Sequence, residues 1–255
     1  METIESERGR FSGLLFAQLL FIFVVPFVSE SDAGTFFRYL GVFGILAAGI
    51  YAASKDRTEL RISMVILLPV LYAWLGPDLL PSPYNECLRF MTPALCFAFT
   101  AYIVIRDVYR HQSVTTDTIL GAINVYLLIS FAFMFLHAAV RIVRPDAYTL
   151  AGQSLLEYFE STPDSQGFST MLYFSFTTLT TLGYGDIVPA KAFARLVTSA
   201  ESVVGQLFVA IIIGRLVGLE VSAQHRLGLL GAPQGGRNAG AQQADQGQVG
   251  GVDHQ

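Results

Sequence analysis

Seven consecutive residues, Thr180-Thr181-Leu182-Gly183-Tyr184-Gly185-Asp186, sit in the loop before the last hydrophobic stretch of the chain. They offer oxygen ligands: backbone carbonyls, the Thr181 hydroxyl, and the Asp186 carboxylate just outside. For the carbonyls of Thr181, Leu182, Gly183 and Tyr184 to face one axis, the backbone must leave both regular strand and regular helix. Gly183 and Gly185 supply the permissive conformations. A Gly-Tyr-Gly alone is most often an ordinary turn between helices. Here the seven residues follow a short amphipathic segment, precede Pro189 and a long apolar run, and lie between two spans. That context favours cation chemistry over a plain turn. Nothing points to catalysis: there is no H-E-x-x-H, no G-x-S-x-G and no paired intramembrane His or Asp. Cys87 and Cys96 have no metal-type or redox-type spacing. Enzyme activity and a bound cofactor are therefore not expected.

The elements that must position this loop are hydrophobic. The 255 residues are 53% hydrophobic and only 14% charged, with mean hydropathy +0.50, where a soluble domain carries about 25% charged residues. Six apolar stretches run Phe11–Val28, Phe36–Ala53, Ile62–Gly76, Met91–Ile105, Ile119–Val140 and Ala192–Leu219, against the ~20 residues of a spanning helix. The third and fourth carry Pro69 and Pro93, which membrane helices tolerate where neighbours satisfy the freed carbonyl. The first reads as an uncleaved anchor: its leader mixes Glu2, Glu5 and Glu7 with Arg8 and Arg10, and its run exceeds the about 7–15 residues of a signal h-region. With the N-terminus inside, ten of the 16 Lys and Arg residues fall on the cytoplasmic side, among them Lys55, Arg57, Arg61, Arg106, Arg110 and Arg215. Six, including Arg38, Arg89 and Arg141, fall outside. Positive-inside bias thus puts both termini in the cytoplasm of a multi-pass cell-membrane protein and the Thr180–Asp186 loop on the extracellular side. Net charge is −4 with no basic block, so nucleic acid is not an expected partner. Residues 223–255 are Gly-, Gln- and Ala-rich and are expected to form a disordered tail.

Phe168–Thr180 reads as a half-length helix, with Ser169, Asp164 or Ser165 as its N-cap. Its C-terminal carbonyls would favour a cation. The motif with this helix resembles the potassium-selective pore-loop channels, whose filter is built from four T-V-G-Y-G loops. Leu182 stands where that motif has Val. The resemblance covers roughly Ile119–Leu219, and the runs Glu201–Gln206 and Gly214–Gly218 look like bacterial channels with a two-span pore. It implies an all-α membrane protein of six transmembrane helices plus a re-entrant pore helix and filter loop. It implies a homotetramer, since one chain supplies one loop and the ring takes four. K+ would bind at Thr181, Leu182, Gly183 and Tyr184, with Gly185 completing the filter. Thr180, Asp186, Tyr173, Thr177 and Glu201 would support it, Asp186 bonding to Tyr173 or a pore-helix neighbour. Tyr184 would pack as a spacer. Gly205 would be the gating hinge or a packing glycine. A stripe of Gln206, Val209, Ile213 and Val217 would face the water-filled cavity. Gly214 and Gly218, four apart, would allow close helix approach.

Two intramembrane groups remain. Glu201 is an acid well inside a span, which marks function by default. It would bond Thr177 or Thr178 behind the filter, or stay protonated, in a structural or a pH-sensing role. His137 reads as a satisfied buried histidine.

The chain divides into a four-helix N-terminal domain (1–112), a pore domain (113–222) and the tail (223–255). Met91–Ile105 holds no arginine. Since one charge crossing the field is worth about 2.3 kcal/mol per 100 mV, steep voltage gating is not expected. The N-terminal helices would brace the pore from the lipid side. Rival readings are a non-selective cation channel, because of Leu182, and a K+ transporter, which would need four filter repeats where this chain has one.

Overall fold

The computed structural model describes residues 10–28, 32–53, 61, 65, 67–78, 80–110, 114–161 and 167–231. Helices dominate. Chain order is α1 (Arg10–Val28), α2 (Asp32–Ala53), α3 (Leu68–Leu75), α4 (Tyr84–Arg110) and α5 (Thr116–Val143), then strands β1 (Tyr148–Leu150) and β2 (Gln153–Ser154). Helices α6 (Leu155–Ser161) and α7 (Gly167–Leu179), strand β3 (Ile187–Pro189) and helix α8 (Ala192–Gly231) follow.

Among the described residues, three helices are long and apolar enough to cross a membrane: Tyr84–Arg110, Thr116–Val143 and Ala192–Ser222. Two more apolar segments, Phe11–Val24 and Phe36–Ala52, are shorter. Of the third expected span only Leu68–Leu75 is a described helix, and Pro69 sits in its first turn, where its missing N–H breaks no helical bond. Pro93 is inside α4.

Helix α5 is the hub, with α1, α4, α7 and α8 packed around it. It starts at an N-cap, where the Thr115 hydroxyl accepts from the Thr118 N–H at 3.2 Å, satisfying a donor the helix cannot. Phe97 of α4 packs its ring 5.3 Å from Phe131 and 5.7 Å from Phe135 of α5, all fully buried. Asn124 ties α1 to this hub by donating to the Phe11 carbonyl at 2.8 Å. At the other side, Arg215 of α8 donates to the carbonyls of Val108 (3.1 Å) and Tyr109 (2.9 Å) at the end of α4. Its guanidinium also lies 4.3 Å from the Tyr109 ring centroid. A cation on the last carbonyls of a helix has the sign the helix dipole favours. The fourth helix is thereby fastened to the last one.

The connection between α5 and α7 adds a small antiparallel sheet, order β2-β1-β3, which an all-α reading does not contain. β1 and β2 turn through Ala151 (φ 52°) and Gly152 (φ 86°), both positive as a tight two-residue hairpin requires. β1 pairs with β3, Thr149 opposite Val188, so the segment leaving the seven-residue loop returns to the segment leaving α5. Lys191 meets Asp146 at 2.7 Å, and that hydrogen bond holds the Asp146 carboxyl below the usual carboxylate range.

The expected boundaries hold closely in the middle of the chain and fail at its end. The half-helix, expected over Phe168–Thr180, spans Gly167–Leu179. Ser169 therefore lies inside its first turn and is not its cap; Asp164 and Ser165 lie outside the described residues. The last helix does not stop at Leu219: it continues to Gly231, so residues 223–231 of the expected tail are helical. The remainder of that tail lies outside the described residues, as does the expected domain boundary at 112/113.

Candidate functional site

The loop after α7 is held by the last turn of that helix. The Thr180 N–H donates to the Phe176 carbonyl (3.1 Å), Thr181 N–H to Thr178 (3.0 Å) and Gly183 N–H to Thr177 (3.0 Å). From there the backbone alternates: Thr181 (φ 59°), Gly183 (φ 49°) and Gly185 (φ 79°) are left-handed, while Leu182 and Tyr184 are not. Alternating handedness turns successive peptide planes the same way, so consecutive carbonyls point to one side. Neither helix nor strand does this. A β-branched residue at positive φ is strained, by of order 1–3 kcal/mol. Thr181 is held there by its N–H bond, by its hydroxyl donating to the Thr180 carbonyl (2.6 Å), and by the Gln206 amide donating to that hydroxyl (3.1 Å).

Outside the loop, Tyr173 fixes its rim. Its hydroxyl donates to Asp186 Oδ2 at 2.8 Å, while Asp186 Oδ1 accepts from the Ile187 N–H at 2.9 Å. The Tyr173 ring lies parallel to Tyr184 at 6.3 Å. Thr177 supports the loop through its carbonyl, and its own hydroxyl turns back to Phe174 O (3.0 Å). Thr180 donates to Phe176 O (2.7 Å). Leu182 and Tyr184 are 57% and 68% exposed in the single chain, so the loop presents a face that no described residue of this chain covers.

Behind the loop stands α8. A methyl group on Gly205 would sit 2.2 Å from the Leu179 carbonyl oxygen, so only glycine lets α8 approach the end of α7 this closely. Ser202 donates to Thr178 O (3.3 Å), and Tyr126 of α5 donates to Leu179 O (3.2 Å). Val209, Ile213 and Val217 are exposed on the single chain, as is Gln206. Gly214 and Gly218 have no neighbour within 4 Å; the close approach expected there is not made within the described chain.

The sequence that builds this site is similar to that of known proteins. The sequence pattern of the ion channel family matches residues 122–220. The chain is also 28% identical, over 191 residues, to the voltage-gated potassium channel Kch of Escherichia coli (strain K12). Residues 122–220 carry the pattern of an ion-channel domain, and the chain resembles bacterial pore-loop potassium channels. The match to Kch covers 73% of this chain and 40% of the relative's length. No solved structure matches the chain. Both findings point to a channel rather than an enzyme.

Within the ion-channel domain, Glu201 departs from the expected pairing. It is fully buried and bonds neither Thr177 nor Thr178. One carboxylate oxygen meets His137 Nε2 at 2.7 Å; the other accepts from the Ser175 hydroxyl. His137 Nδ1 lies 2.6 Å from the Tyr148 hydroxyl, and Ser130 Oγ lies 3.1 Å from Ser175 Oγ. With Tyr148 donating to Nδ1, Nε2–H and Ser175 donating to Glu201, and Ser130 donating to Ser175, every member is satisfied. Burial, and then the Glu201 carboxyl, raise the Tyr148 hydroxyl well above an ordinary phenol, so it keeps its proton to give. The chain Tyr148–His137–Glu201–Ser175–Ser130 joins β1, α5, α8 and α7 behind the loop. His137 is thus satisfied, as expected. Ser130, Tyr148 and Ser175 were not singled out by the sequence. One signal existed: Tyr126, Ser130 and His137 recur at helical spacing on α5, a polar stripe in an apolar span.

Proposed function

We propose that the chain is one subunit of a potassium-selective channel, a homotetramer of six-span subunits with both termini cytoplasmic. K+ passes through a ring of carbonyls from Thr181, Leu182, Gly183 and Tyr184. The observation that carries this reading is the left-handed backbone at Thr181, Gly183 and Gly185, which aims consecutive carbonyls one way. Four such loops around an axis replace the hydration shell of a dehydrated cation. Val209, Ile213 and Val217 are exposed on the single chain, as a stripe that lines the central cavity of a ring of four would be. The named relative is a potassium channel, which supports K+ as the permeant ion. Gln206 sits at the inner end of the filter, bonded to Thr181, and forms the upper rim of the cavity. Gly205 acts as a packing glycine, since its approach to Leu179 leaves no room for a side chain; bending at the same residue is compatible with that role.

Leu182 is the departure that favours a second reading, a pore passing Na+ and K+ alike. At that position the backbone carbonyl is the ligand and the side chain points elsewhere, so selectivity survives the change. Reversal potentials in mixed K+ and Na+ decide: they should follow the K+ gradient, and a potential indifferent to which ion is exchanged contradicts selectivity.

Voltage dependence is expected to be shallow. Between Phe90 and Ile105, α4 carries no charged residue, and Arg106 and Arg110 lie at its cytoplasmic end. A domain that moves no charge through the field gains no energy from it. A conductance–voltage curve that stays steep without blocking ions overturns this.

A further inference from the structure

A cavity of about 520 Å³ lies away from the filter, where the N-terminal helices meet the ion-channel domain. Three arginines from three helices line it, Arg38 of α2, Arg89 of α4 and Arg141 of α5, against one carboxylate, Glu86. The N-terminal end of α7, Gly167 and Phe168, closes one side.

Positive charge outnumbers negative charge among the residues that line this space. The Arg141 guanidinium lies 3.5 Å from where a Gly167 side chain would begin, beside the positive end of the α7 dipole. A cation at that end is unfavourable, and an anion between them is favourable. Arg141 also lies over the face of Phe159, 5.3 Å from its centroid, and interacts with the Glu86 carboxylate through space. The Nε atoms of Arg89 and Arg141 are buried and have no hydrogen-bond partner among the described residues, although Arg89 pairs with Asp78 through Nη2 (2.7 Å). A buried donor with no acceptor is destabilising. A ligand with several acceptor oxygens would satisfy them.

The rest of the cavity is greasy. Phe90, Met134, Phe135 and Phe168 line its apolar part. At its rim Tyr39 and Trp74 stack at 4.4 Å, and the Trp74 indole donates to Arg89 O (3.0 Å). Such paired aromatics belong at headgroup depth. Arg38 is near the start of α2, Arg89 near the start of α4 and Arg141 near the end of α5, so the arginines share one end of the bundle. We infer that this cavity binds an anionic phospholipid, its phosphate held by Arg141, Arg89 and the α7 N-terminus and its acyl chain on the apolar wall. The volume is in the range of small-ligand sites, and basic pockets between membrane helices suit lipid phosphates. The inference needs a membrane protein but does not depend on conduction.

The test is lipid retention by the purified full-length protein, counted by native mass spectrometry after exposure to phosphatidylglycerol or phosphatidylcholine. The wild type should retain phosphatidylglycerol preferentially. Arg141→Gln should lower that retention about tenfold, as expected for one charge-assisted contact, while phosphatidylcholine is unaffected. Should Arg141→Gln fail to assemble, Arg38→Gln, at a residue that lines the same cavity, should give the same direction of change. Equal retention of the two lipids, or phosphatidylglycerol retention unchanged in the variants, overturns the site. Inorganic phosphate raising the melting temperature as much as phosphatidylglycerol would also overturn it, by assigning the cavity to free anion. Ion flux is not read, so a failure here leaves the channel proposal standing.

Discussion

Gly183→Ala is expected to abolish the preference for K+ over Na+. Gly183 has φ 49° with nothing within 4 Å of a built side chain, so its requirement for glycine is conformational. Holding alanine in that region costs roughly 1–2 kcal/mol per copy, and a ring of four subunits multiplies the strain. The cheaper course is for the peptide to turn, which rotates a carbonyl off the axis and breaks the bond that the N–H of residue 183 donates to Thr177 O. Reversal potentials should then no longer distinguish the two ions. Gly214→Ala is the control, since Gly214 lies in α8 with open space around it; it should leave selectivity unchanged. A Gly183→Ala channel that still prefers K+ would remove the central role of the alternating backbone.

The second large effect is expected at Glu201. Removing it strands His137 Nε2 in a fully buried site, while the Ser175 hydroxyl keeps only the Ser130 carbonyl, 2.8 Å away, as an acceptor. Leaving such a buried donor without its partner typically destabilises by about 1–3 kcal/mol, here applied where four elements meet. Glu201→Ala should sharply lower the thermal stability of the assembled protein. His137→Ala should do much the same, and the double variant should lose less than the two singles added together, because they share one interaction. Glu201→Gln keeps an acceptor and should assemble. Additive losses from the two single variants would show that the contact has no energetic weight. In Glu201→Gln the dependence of current on pH separates the remaining roles, since an unchanged profile excludes Glu201 as a pH sensor.

The parts of this site that lie close in sequence were legible in it. The half-helix and loop are contiguous, so helical amphipathicity, two glycines and the span lengths placed α7 within one residue at each end. For Asp186 the sequence left Tyr173 or a pore-helix neighbour as partner, and the structure has Tyr173. The Glu201 partner was not legible. Thr177 and Thr178 were near in depth, but which side of α7 faces α8 depends on helix rotation, and rotation is set by packing around α5. It is Ser175 that faces Glu201, and His137 lies on a separate helix. The end of α8 was misread for another reason. Residues 223–231 carry Gly and Gln but also Ala, Arg and Leu, good helix formers that extend a helix already nucleated. Composition alone weighed the glycines too heavily. The arginine-lined cavity was hidden because Arg38, Arg89 and Arg141 come from three separated segments and appeared in the sequence only as charges on one side of the membrane.

The most direct measurement is ion flux from liposomes that hold the purified protein, K+ against Na+, with and without barium. The proposed filter predicts rapid K+ efflux, little Na+ efflux, and block of the K+ signal by barium. Equal flux of both ions, or no flux of either, would contradict it.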